Sequence, residues 1–192
     1  MLMDKVIESV LQEIEARKAG KASLLLAIDG RCAAGKTTLA SGIQSKLQCN
    51  VIHMDHFYLR PEQRTKARMQ EPGGNVDRER FLDEVLLPLT SGKVVKYRPY
   101  DCHSNDFGDA VCLESNAVSI IEGSYACHPE LVDYYDLRVF LSVSPEEQTR
   151  RILQREGVDR TSGFMDKWIP LEESYFAQYR ISGQCDLVYM TD

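Results

Sequence analysis

No run of apolar residues in this 192-residue chain approaches the length needed to span a membrane. The six cysteines, at positions 32, 49, 102, 112, 127 and 185, include no C-x-x-C pair, and the four histidines offer no spacing that would complete a zinc site. Zinc modules and disulfide scaffolds are set aside on that ground, and the thiols read as inert side chains of a reducing compartment. Basic residues are in the minority: 23 Lys and Arg stand against 29 Asp and Glu, a formal charge of −6. That balance argues against nucleic acid or an anionic membrane as partner. The N-terminal stretch carries Asp4, Lys5 and Glu8, which is no signal-peptide pattern, so a cytoplasmic location is expected. Internal repeats, low-complexity tracts and an inter-domain linker are all missing, so a single domain spanning residues 1–192 is expected.

What is present is ordinary in bulk, 43% hydrophobic and 27% charged, and specific at one place. The apolar run Leu24–Ile28 leads into Gly30-Arg31-Cys32-Ala33-Ala34-Gly35-Lys36-Thr37, a complete G-x-x-x-x-G-K-[ST] pattern, followed by Thr38 and an alanine-bearing helix start. Chemically this is a strand, a tight loop and a helix N-terminus. Loop amides converge on phosphate oxygens, helped by the positive end of the helix dipole. Lys36 can reach the β- and γ-phosphates, and the Thr37 hydroxyl can ligate Mg²⁺. The reading is a nucleoside-triphosphate site, ATP or GTP, with residues 30–38 as its cradle.

Around it, helices and strands alternate. Met3–Lys18 places Val6, Ile7, Val10, Leu11 and Ile14 on one helical face, expected to pack on a sheet, with formation of a homo-oligomer as the alternative. Val51–Met54, Ala117–Glu122, Leu137–Val143 and Asp186–Met190 read as further strands, and Phe81–Leu89 as a helix stopped by Pro88 and Gly92. Ser144-Pro145-Glu146-Glu147 opens another helix, with Glu147 at the capping-box position. Between residues 58 and 80 the chain is polar and aperiodic, the kind of insertion that is usually functional. Alternation of this sort implies a parallel sheet covered on both faces. Ligands then sit at the carboxyl ends of the strands, where Asp29, Asp55 and Glu122 fall.

These residues together resemble the phosphoribulokinase/uridine kinase family of small-molecule kinases. The likeness runs from about Ser23 to Asp186 and rests on Asp55-His56-Phe57-Tyr58, Asn75-Val76-Asp77, Pro99-Tyr100-Asp101, Glu122-Gly123 and Arg150-Arg151. The resemblance implies a P-loop NTPase three-layer α/β/α fold with a mainly parallel five-stranded sheet. It also implies an inserted acceptor-binding region at about 56–112 and a lid at about 150–168. It makes Asp55 the base facing an acceptor hydroxyl, with Lys36 and Arg151 as the other catalytic groups. Thr37, Asp55 and Glu122 become Mg²⁺ ligands, and Arg150 and Arg155 become cations on the nucleotide. Tyr58, Asp77, Tyr100, Asn105 and Arg160 fall to the acceptor, with Asp77 on a ribose diol. Asn105 stands where the family has a base-reading His, His103 lies two residues away, and Val76 replaces a stacking aromatic. The expected activity is transfer of the γ-phosphoryl group to a small-molecule hydroxyl, first a nucleoside 5′-hydroxyl. The alternatives are a non-nucleoside alcohol of pantothenate, sugar or glycerate type, or a non-catalytic nucleotide-gated regulator. His53, His56 and His128 read as structural, Trp168 as a core or hinge anchor, and Arg64, Lys66 and Arg68 as a solvated loop.

Overall fold

The computed structural model describes residues 2–192. In chain order these form α1 (Leu2–Lys18), β1 (Leu24–Gly30), α2 (Lys36–Gln44) and β2 (Asn50–His53). Then come α3 (Lys66–Gln70), α4 (Arg78–Phe81), α5 (Leu87–Thr90), β3 (Val95–Tyr97), β4 (Tyr100–Asp101), β5 (Asp106–Phe107) and β6 (Val111–Leu113). The chain closes with β7 (Val118–Glu122), β8 (Leu137–Ser142), α6 (Pro145–Glu156), α7 (Val158–Gly163), α8 (Ile169–Tyr179), α9 (Ile181–Gln184) and β9 (Leu187–Met190).

Five strands pair in the order β2-β7-β1-β8-β9, and every pairing is parallel. The central strands are apolar on both faces because both faces are covered: all of β1 and all of β7 are buried. Side-chain alternation then sorts the core into two halves. One face sets Leu25, Ala27, Ile52 and Ile121 against Phe57, Phe81, Val85, Leu86, Tyr97 and Tyr175. The other sets Leu24, Leu26, Ile28, Val139 and Leu141 against α1 and α2, through Val6, Ile7, Val10, Ile14, Leu39 and Ile43. Each of these aliphatic side chains contributes about 1.5–3 kcal/mol by leaving water. The result is the three-layer α/β/α architecture, and α1 is one of its outer-layer helices.

Everything between β2 and β7 hangs from the sheet edge. It holds two antiparallel ladders, β3 with β6 and β4 with β5, and a bridge from Tyr58 to Val76. Three local expectations are corrected here. Pro88 does not stop its helix. A wider turn, Leu82–Leu86, precedes it, Leu87 N–H reaches back five residues to Leu82 O, and the helix runs on to Thr90. Such widening relieves the clash that a proline ring makes with the preceding turn. The Ser144 cap is one-sided: its hydroxyl accepts from Glu147 N at 3.4 Å, while the Glu147 carboxylate turns to Arg150 and Arg151. Trp168 is not in the core; it is half-exposed, with Lys167 Nζ 4.5 Å from its ring centre.

Candidate active site

The glycine pattern of the loop between β1 and α2 has a steric cause. Gly30 has φ +138°, and a Cβ there would lie 2.0 Å from the Leu141 carbonyl oxygen of β8. Only a residue without a side chain lets the loop leave the sheet so close to its neighbour. Ala33 follows with φ +60°, a left-handed residue of the strained kind that gathers at functional sites. Lys36, the first residue of α2, turns its ammonium back into the loop and donates to Gly30 O at 2.6 Å, Arg31 O at 3.0 Å and Ser124 Oγ at 3.3 Å. Its side chain is buried, so this charge is held against the loop and not spread into solvent.

Beside Lys36, Thr37 donates its hydroxyl to Glu122 Oε1 at 3.2 Å, joining the start of α2 to the end of β7. His53, at the end of β2, has Nδ1 2.5 Å from the same oxygen, and that hydrogen bond raises its pKa. Read from sequence as structural, His53 is in fact a contact of the proposed metal ligand. Thr37 and Glu122 present hydroxyl and carboxylate oxygens side by side, a hard-oxygen pair of the type Mg²⁺ takes. Asp55 lies two residues past β2 in a tight turn, Met54–Phe57, and is exposed. Tyr58 donates its hydroxyl to Asp55 Oδ1 at 3.0 Å, while burial and the same carboxylate raise the Tyr58 pKa. The ends of β1, β7 and β2 thus deliver Lys36, Thr37, Glu122, His53 and Asp55 to one edge of the sheet.

Asp29, grouped with those acids in the sequence, has a different role. It is fully buried and accepts from the amides of Gly30 (2.7 Å), Tyr125 (3.2 Å) and Cys127 (2.9 Å) and from the Tyr175 hydroxyl (2.8 Å). Burial outweighs those donors and pushes its pKa up to about 6. It clamps the loop after β7 onto α8 and faces no open site.

The sequence reading missed a carboxylate that touches the loop itself. Glu172 of α8 accepts from Cys32 N at 2.9 Å and from Ser124 Oγ at 2.5 Å. Its neighbour Glu173 pairs with Arg31 at 2.6 Å, and Gln148 Nε2 donates to Cys32 O at 3.0 Å. Burial and the Glu172 charge both push the Cys32 thiol up. In sequence Glu172 reads only as an acid in a helix first turn, because its loop partner is 140 residues away.

Among the arginines of α6, Arg151 is anchored: Nε to Glu147 at 2.7 Å and one terminal nitrogen to Ala33 O at 3.1 Å, with Thr191 as a further partner. Arg155 reaches Cys32 Sγ at 3.6 Å. Arg150 and Arg160 point outward, with side chains 62% and 69% exposed. In the segment between β2 and β7, Asp77 is buried, caps α4 by accepting from Arg80 N at 3.2 Å, and accepts from Gln63 Nε2 at 2.8 Å. Tyr100 donates its hydroxyl to Asn105 Oδ1 at 3.1 Å, and its ring meets Phe107 edge-on. Val76 belongs to the core and is buried. Arg68 is no solvated loop charge: it holds Gly74 O at 2.9 Å, Val76 O at 2.8 Å and Glu79 at 2.6 Å, fastening the stretch that leads to Asp77.

Residues 25–179 match the phosphoribulokinase/uridine kinase family. The chain belongs to that family. Solved structures with the same fold include a candidate uridine kinase from Bacillus stearothermophilus, 21% identical at TM-score 0.74 over 98% of this chain and 100% of that one. A candidate fructose transport system kinase from Silicibacter sp. TM1040 is 20% identical at TM-score 0.70, covering 98% and 99%. A circularly permuted P-loop kinase candidate from Saccharomyces cerevisiae is 12% identical at TM-score 0.67, covering 99% of each chain. Membership in the phosphoribulokinase/uridine kinase family makes the chain a P-loop kinase acting on a small molecule, and it implies nucleotide use. Among the described residues, no helix is long and apolar enough to cross a membrane.

Proposed function

We propose that this kinase transfers the γ-phosphoryl group of ATP, or GTP, to the 5′-hydroxyl of a nucleoside of the uridine or cytidine kind. The observation that carries the reading is the meeting of Lys36, Thr37, Glu122 and the Asp55 turn at the carboxyl ends of three neighbouring strands. Loop amides and the Lys36 ammonium take the phosphate oxygens, and Lys36 stabilises charge on the transferring group. Asp55, steadied by the Tyr58 hydroxyl, orients the acceptor hydroxyl and accepts its proton. Thr37, Glu122 and Asp55 are the residues that would hold Mg²⁺, which when bound neutralises charge across the phosphates. Arg150, Arg155 and Arg160 belong to a lid at about 150–168, and Tyr58, Asp77, Tyr100 and Asn105 to an acceptor region at about 56–112 of a single domain.

One observation favours a second reading, an acceptor alcohol carrying an acidic group, as in the pantothenate, glycerate or sugar-acid class. The guanidinium carbons of Arg60, Arg80 and Arg98 lie 6.0, 5.2 and 5.6 Å from the Phe107 ring centre beside Tyr100, and Arg60 and Arg80 also face Glu62, Asp77 and Glu84 at 3.5–3.9 Å. An ADP-release assay separates the two when run with uridine, cytidine, their 2′-deoxy forms, nicotinamide riboside, pantothenate, glycerate and simple sugars. Turnover of ribonucleosides supports the first reading. Turnover confined to a non-nucleoside alcohol replaces it with the second, and ATP binding without turnover of any acceptor leaves a regulator.

A further inference from the structure

The phosphate loop has an open flank that Glu122 does not line. There a cavity of about 330 Å³ borders the loop residues Ala33 and Gly35 and the α2 residue Thr38. Its volume is at the lower end for small-molecule pockets. The remaining walls come from both ends of the chain: Leu2 and Met3 on one side of the sequence, Thr191 and Asp192 on the other, with the Arg151 side chain between α6 and the loop. The terminal residues lie outside residues 25–179, the stretch that matches the kinase family.

Both terminal walls are fixed. Helix α1 buries Val6, Ile7, Val10 and Ile14 in the core half that also holds Leu39 and Ile43 of α2. Its first turn is thereby carried over the loop, and the Met3 methyl carbon lies 2.9 Å from where a Gly35 Cβ would stand. Thr191 Oγ1 lies 2.9 Å from Ala34 O, tying the end of β9 to the same loop. Arg151 is held in place by Glu147 and by Ala33 O.

A nucleoside triphosphate whose phosphates take the loop amides must lay its base against a surface next to the loop. Neither Glu122 nor the Asp55 turn lines this cavity, which borders the loop at Ala33 and Gly35. Its chemistry suits a flat aromatic ring: an aliphatic and a thioether side chain for apolar contact, and a planar guanidinium for stacking. We propose that Leu2 and Met3, at the tip of the N-terminal helix, form a wall of the pocket for the purine base of the phosphoryl donor, with Arg151. This deepens, and rests on, the reading of the loop as a nucleoside-triphosphate site.

The test compares a ligand that has the base with one that lacks it. Calorimetric titration of the full-length chain with a non-hydrolysable ATP analogue and with tripolyphosphate is run on the natural sequence and on Leu2→Ala/Met3→Ala. The expected result is about a tenfold weaker analogue in the variant, the scale of losing apolar contacts in a pocket, with tripolyphosphate unchanged. Equal weakening of both ligands, or none of either, overturns the assignment. A second measurement needs no substitution: the Met3 methyl resonance of the natural chain should shift on adding the ATP analogue, through the ring current of the base, and stay in place with tripolyphosphate. A Met3 resonance indifferent to the analogue overturns the proposal while leaving the kinase reading intact. Failure of the natural chain to bind either ligand overturns the loop reading itself.

Discussion

Replacing Gly30 by alanine measures how closely the phosphate loop is built against the sheet. The new Cβ would stand 2.0 Å from Leu141 O and 2.7 Å from Leu141 N, where real Cβ contacts do not fall below 3.0 Å. Strands β1 and β8 must therefore part by roughly 1 Å at this register, an overpacking cost of about 1–3 kcal/mol. Parting them also weakens the bond from Arg31 N to Leu141 O, 3.0 Å long, for about 1 kcal/mol more. Backbone strain at φ +138° adds about 1–3 kcal/mol for a residue with a side chain. The expected loss is thus about 3–7 kcal/mol, a large part of the roughly 5–15 kcal/mol that holds a typical domain folded. Gly20→Ala is the control. It also has positive φ, +80°, but nothing lies within 4 Å of the added carbon, so only strain of about 1 kcal/mol remains. Urea unfolding followed by circular dichroism gives both midpoints. If the Gly30 variant proves no less stable than the Gly20 variant at equal slope, the crowding argument is refuted.

Other consequences follow from the same geometry. Lys36→Ala should slow phosphoryl transfer by a few kcal/mol of barrier, roughly 10²–10³-fold in kcat, and unchanged turnover would remove Lys36 from the site. Asp55→Asn keeps shape but loses the proton acceptor, so kcat should fall about 10²-fold or more with ATP binding retained; equal activity would leave Asp55 a scaffold residue. Tyr175→Phe deletes a buried donor to Asp29, 2.8 Å away, and should lower stability by about 1–3 kcal/mol in the same denaturation assay. His128 is buried, and burial followed by the Arg78 charge lowers its pKa to about 4. A depressed histidine contributes its stability above the ordinary value near 6.5 and loses it as pH falls toward 4, to a maximum of roughly 3 kcal/mol. The natural chain should therefore lose about that much more than His128→Asn between pH 7 and pH 4, and parallel curves for the two would count against the assignment.

The loop was legible because its pattern is a backbone demand: Gly30 must approach Leu141, and no substitute avoids the clash. The parallel sheet was legible because β1 and β7, covered on both faces, leave continuous apolar runs. Asp29 was misplaced because a strand-end acid beside a phosphate loop looks the same whether it faces the ligand or, as here, the amides of Tyr125 and Cys127. Arg68 was misread because a charged stretch looks solvated until its partners Gly74 O and Val76 O are in view. Pro88 reads as a helix end in the sequence because propensity carries no record of a widened turn just before it. Glu172 left no local trace. Its meeting with Cys32 is purely tertiary, and no periodicity encodes it.

The Asp29 clamp has a consequence for which parts of the molecule can open. Three amides and a phenol converge on one carboxylate in the deepest part of the sheet, joining the root of the phosphate loop, the segment after β7 and the middle of α8. None can separate from the others without leaving a buried acid short of donors. They must therefore exchange their amide hydrogens with solvent as one slow unit, close to the rate of whole-molecule unfolding. Excursions of lower energy are confined to segments the clamp does not reach, such as the stretch from Gly157 to Trp168. A closing motion over bound nucleotide would therefore pivot ahead of Tyr175, against a floor that stays still.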